Sequence, residues 1–141
     1  MSKELTEQER IQWVQSQFRK GNEYLASKGI LPDQVVVQES RYLAPLIAVW
    51  KMKSQDRQEY WVLTGDLPTD HMAVSVAPNA KEAIRAFSLN WQLKAQQILD
   101  SGSTDKTQKD FANLLISRAH GLYDLFDHDE IWQAQPEHPS A

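Results

Sequence analysis

The sequence has no cysteine, which excludes disulfides, thiolate metal sites and a cysteine nucleophile. Glycine is scarce, five in 141 residues, so backbone cradles for phosphate have few places to form. None of the P-loop, dinucleotide-binding, nucleophile-elbow or H-E-x-x-H patterns occurs. The longest apolar run, Leu43–Trp50, is broken by Pro45 and falls far short of the roughly 18 residues that span a bilayer. Excess positive charge is lacking too. The net charge is −4, and it drifts from +2 over residues 1–53 to −4 over residues 101–141, with nothing basic after Arg118. Binding phosphates needs a stripe of cations, so neither nucleic acid nor membrane is an expected partner. The start, MSKELTE, is polar and has no apolar signal-peptide core. Together with the missing cysteine it fits a reducing compartment, and the expected location is cytoplasmic.

What is present is ordinary for a globular chain, 41% hydrophobic and 24% charged. One domain is expected over residues 1–132. The remainder, 133–141 (QAQPEHPSA), has two prolines and no aliphatic anchor beyond alanine, the composition of a disordered tail. Thr6-x-x-Glu9 is a capping box, in which each side chain satisfies the other's free amide. Ile11, Val14, Phe18 and Leu25 then recur on one helical stripe. Gly29 and Pro32 supply the stop signals, so a helix is predicted over Glu7–Lys28, although Gly21 sits inside it.

The period then changes. Val35–Val37, Leu46–Lys53 and Glu59–Thr64 are short and rich in β-branched and aromatic residues, the signature of strands. The segment Leu46–Lys53 is apolar on both alternating faces, which predicts cover on both sides of the sheet. Met72, Val74 and Val76 alternate and read as one more strand. Asn79 with Glu82 marks a second helix start, followed by Ile84, Phe87, Trp91 and Ile98 at helical spacing. A third amphipathic stretch runs from Phe111 to Phe126. The expected fold is α+β, a small antiparallel sheet of three to four strands packed with an N-terminal helix and two C-terminal helices.

The most distinctive segment is Trp61-Val-Leu-Thr-Gly-Asp-Leu-Pro-Thr-Asp-His71. Gly65 can turn with positive φ after a strand, and Pro68 holds Leu67 extended. Asp66, Thr69, Asp70 and His71 would then project from a rigid loop at a sheet end, beside Trp61, where ligand or partner sites are often built. Two carboxylates beside a histidine suit cation binding or acid–base work; the competing reading is that both aspartates bond their own turn backbone. This segment, together with Arg85, Ala86, Phe87 and Trp91, resembles an uncharacterised bacterial family of small single-domain proteins. Its members share W-x-x-x-G-D-L-P-T-D-[HY] and an R-A-F-x-x-x-W helix. The resemblance spans roughly residues 8–100 and implies no substrate, cofactor or catalytic residue.

His120, Asp124 and His128 form a second candidate. Spaced by four on a continuing helix, they would share a face and suit a divalent metal such as zinc; the alternative is a solvated acidic helix end. Of five tryptophans, Trp13 lies beside its helix stripe and Trp132 near the tail, which suits an interface, most simply that of a homodimer. The sequence calls for no cofactor and names no catalytic residue. The expectation is a non-enzymatic protein-interaction or regulatory domain with an unidentified protein partner. The alternative is a small-molecule or divalent-metal binder, or an enzyme, with its site on the Gly65–His71 loop.

Overall fold

The computed structural model describes residues 5–102 and 104–133; residues 134–141 of the expected tail lie outside them. Helix α1 (Glu7–Ser27) starts at the capping box, Thr6 Oγ1 accepting from the Glu9 amide and Glu9 returning the bond, each at 3.1 Å. Strands β1 (Pro32–Val35), β2 (Arg41–Leu43), β3 (Ile47–Ser54), β4 (Glu59–Gly65) and β5 (Asp70–Ala73) follow, then α2 (Ala80–Asp100) and α3 (Lys106–Phe126). Both later helices are capped by a side-chain oxygen, Asn79 for the Glu82 amide and Asp105 for the Thr107 amide. The fold class is α+β as expected, with β2 as the strand that the sequence did not show.

All pairings are antiparallel, in the order β1-β3-β4-β5, and β2 and β1 share one edge of β3 at its two ends. Period-2 alternation on the central strands builds two cores. Ile47 and Val49 of β3, with Trp61 and Leu63 of β4, face α2 and join the α2–α3 cluster. Ala48, Trp50, Met52 and Val62 face the other way and meet Val14 and Leu25 of α1. The sheet is thus covered on both faces there, which explains why Ile47–Trp50 of β3 is apolar on both sides. Gly21 is explained by the same packing. A Cβ there would come within 3.1 Å of Met52 Cε, so glycine lets α1 lie close on the sheet.

At the other end of β4, Gly65 has φ of +135° and pairs with Ile47. The Asp66 amide then donates to the Leu46 carbonyl at 3.0 Å. These bonds close the β3–β4 ladder into a corner of Leu46, Ile47, Asp66 and Leu67, set beside the C-terminal half of α3.

Candidate functional site

The structure divides the Trp61–His71 segment between three places. Trp61 is wholly buried, its Nε1–H donating to the carbonyls of Val74 and Ala77 at 3.2 and 3.1 Å. It lines no cleft. Asp70 and His71 lie on edge strand β5, not in a loop, and as successive strand residues they point to opposite faces. Asp70 pairs with Leu63 on the α2 side, and its Oδ2 accepts from Trp91 Nε1 at 2.8 Å while Oδ1 accepts from the His71 amide. His71, opposite Val62 on the α1 side, shares a 2.9 Å hydrogen bond between Nδ1 and the Tyr24 hydroxyl. Its ring also packs edgewise on Tyr24 and Tyr60. Thr69 is half-buried just before this strand.

Asp70 and His71 therefore clamp the edge strand to both helical layers. Burial pushes the His71 imidazole below its ordinary value, only partly opposed by the charge of Asp70, while Lys28 adds to the lowering. Burial, then the Asp70 charge, pushes the Tyr24 hydroxyl up to about 12. A histidine with a lowered folded pKa stabilises the fold above its unfolded value, near 6.5. The unfolded chain takes up the proton that the folded chain resists, so this contribution is lost as the pH falls. Stability measured by urea unfolding should drop between about pH 7 and pH 5, and His71→Gln should flatten that part of the profile.

A second outcome separates the two aspartates. Asp70→Ala leaves the buried Trp91 Nε1–H without its acceptor and should cost about 1–3 kcal/mol, whereas exposed Asp66→Ala should stay within about 0.5 kcal/mol. Thermal unfolding of the two variants reads the difference; equal effects would mean that Asp70 does not hold the edge.

Asp66 belongs elsewhere. It borders a cleft of about 280 Å³ between the Leu46–Leu67 corner and α3. The far wall is formed by Arg118, Gly121, Leu122 and Leu125, which recur at helical spacing on one flank of α3, with Asp124 and His128 at the same cleft. Members of both candidate groups thus meet here. Arg118 is the residue that the sequence reading missed, and its Nε is buried with no hydrogen-bond partner. No carboxylate of the described residues forms an ion pair with it. The only available signal was negative: Arg118 is the last cation of the chain, on an otherwise apolar flank.

The metal reading fares differently. His120 is exposed, and His128 turns its Nδ1 onto the Asp124 backbone carbonyl at 2.7 Å. Among the described residues no three histidine, aspartate or glutamate side chains converge on a point where a metal could sit. Trp132 is buried over the α2–α3 core, 7% exposed, with Nε1 donating to the Leu125 carbonyl at 3.0 Å. Most of its surface is spent inside this chain, and what remains borders a surface pocket with Gln38, Arg41 and Lys81. Trp13 is half-buried against the α1-side core. No described helix is long and apolar enough to cross a membrane.

Comparison with known families places this architecture. Residues 7–132 match the model of a domain of unknown function, DUF4826, and the chain belongs to that family. No curated protein and no solved structure matches it.

Proposed function

We propose that the protein is a non-enzymatic binding domain of the regulatory kind, and that it receives its ligand in the cleft between α3 and the Leu46–Leu67 corner. One observation carries this reading. The cleft holds a cation, Arg118, that forms no ion pair with any described residue, beside an apolar wall of Leu46, Ile47, Leu67, Leu122 and Leu125. A concave apolar surface with a few converging polar groups is the common form of a ligand site. The edge-strand carboxylate and imidazole, by contrast, already serve as acceptors for Trp91 and as partners for Tyr24. Acid–base work would require breaking the bonds that fix β5.

The test is a fragment screen read by proton–nitrogen correlation spectra of the full chain. Shifts should cluster on Leu67, Arg118, Leu122 and Leu125. Shifts centred on Tyr24, Asp70 and His71 would move the site to the edge strand, and a panel that perturbs neither place would overturn the binding reading.

A further inference from the structure

We propose that the cleft takes an aliphatic monocarboxylate, its carboxylate on the Arg118 guanidinium and its apolar body among Leu46, Leu67, Leu122 and Leu125. This rests on the cleft being the binding site and adds the chemical class of its occupant.

The charge argument comes first. A buried guanidinium donor without an acceptor is costly, and the fork of an arginine side chain fits a carboxylate in two parallel hydrogen bonds. Asp66 and Asp124 border the same cleft, yet neither forms an ion pair with Arg118. Arg118 is part-buried and lines the cleft, so a small turn of its side chain presents the guanidinium to an acceptor from outside. Those same aspartates limit the ligand's charge. The lining already carries two carboxylates to one guanidinium, so a ligand's single charge must sit on Arg118 itself, and a second, as on a phosphate, would add repulsion from Asp66 and Asp124.

The shape argument is independent. No phenylalanine, tyrosine or tryptophan lines the cleft; its one ring is the His128 imidazole, tied by Nδ1 to the Asp124 carbonyl, and the four leucines suit a branched aliphatic body. At about 280 Å³ the space lies near the lower end of ligand sites, too small for a nucleotide cofactor. Gly121 points the same way. Glycine inside a helix costs about 0.5–1 kcal/mol relative to alanine, and at Gly21 close packing explains it. At Gly121 a Cβ would meet no atom within 4 Å. No described residue packs where that side chain would stand, and its absence widens the wall of the cleft beside Arg118.

The experiment titrates the full chain with isocaproate, its neutral amide and inorganic phosphate, following amide shifts in wild type, Arg118→Met and Gly121→Leu. Isocaproate should shift the cleft amides saturably and bind about tenfold or more tighter than its amide, as expected for a charge-assisted hydrogen bond. Arg118→Met should bring the acid down to the level of the amide. Gly121→Leu improves helix propensity and should keep the melting temperature while blocking both compounds. If Arg118→Met fails to fold, the acid–amide ratio and Gly121→Leu still decide. An amide that binds as tightly as the acid would overturn the carboxylate assignment and leave the cleft as a binding site. Phosphate shifting the same amides as strongly would show a bare anion site and overturn it too. No shift with any probe would overturn both this proposal and the site beneath it.

Discussion

Gly65→Ala is expected to lower stability by at least about 3 kcal/mol, at the severe end of single substitutions. Two effects combine. The residue sits at φ of +135°, where a Cβ is strained. That Cβ would also lie 2.3 Å from the Leu46 carbonyl oxygen and 2.7 Å from the Ile47 Cα. Both are backbone atoms of the paired strand, so no rotamer change relieves the clash, and the β3–β4 ladder must open where the cleft corner is built. Gly29→Ala separates the terms. Gly29 has φ of +79° with no atom within 4 Å of a Cβ, so it should cost only the backbone strain, about 1–2 kcal/mol. Urea midpoints of the two variants measure the difference; equal midpoints would mean that the corner is looser than the structure shows.

How far such features were legible depends on whether their causes are local. Helix α1 was readable nearly to the residue because its start is a reciprocal bond between Thr6 and Glu9 and its face a stripe of apolar side chains. The two-sided cover of β3 was readable because Ala48, Trp50 and Met52 alternate with Ile47 and Val49. The misplacements have distant causes. Val35–Val37 reads as a strand, but the ladder occupies Pro32–Val35, and after the Val36 amide bonds the Lys51 carbonyl the chain turns at Val37–Glu39. Buried Ser40 holds that turn, donating to the Val36 carbonyl and accepting from the Lys51 amide. Strand β2, the three residues Arg41–Leu43, has no signal beyond its pairing with β3.

The segment from Asp70 to Val76 shows the same division. Alternation at Met72, Val74 and Val76 predicts a strand there, yet β5 begins at Asp70 and ends at Ala73, and Val74–Val76 forms a 3₁₀ turn. Aspartate is depleted in strands. It is held in this one by Trp91, 21 residues away. The candidate site follows the rule as well. Asp66 was visible in its loop, and Asp124 and His128 in their spacing, but that they border one cleft with Arg118 depends on how α3 lies beside the β3–β4 corner. Helix packing of that kind joins residues about 50 positions apart and leaves no local pattern.

Trp61 supplies the second large effect and separates packing from recognition. Its indole is wholly buried on the α2 face of β4, so Trp61→Ala should cost about 3–5 kcal/mol. That is a large part of the roughly 5–15 kcal/mol that holds a typical domain. Trp61→Phe keeps most of the apolar body but removes the Nε1–H shared by the Val74 and Ala77 carbonyls. Val74 retains the Ala77 amide as a donor at 3.3 Å, so the loss should be smaller, about 1–3 kcal/mol. These carbonyls lie in the turn between β5 and α2, and the phenylalanine variant should therefore loosen that turn first, seen as faster amide exchange at Ala77 with little change in β3. Because Trp61 does not line the cleft, isocaproate binding should be unchanged in the folded Trp61→Phe protein. A variant that kept its stability but lost binding would return Trp61 to the ligand surface and show that the cleft extends through the core.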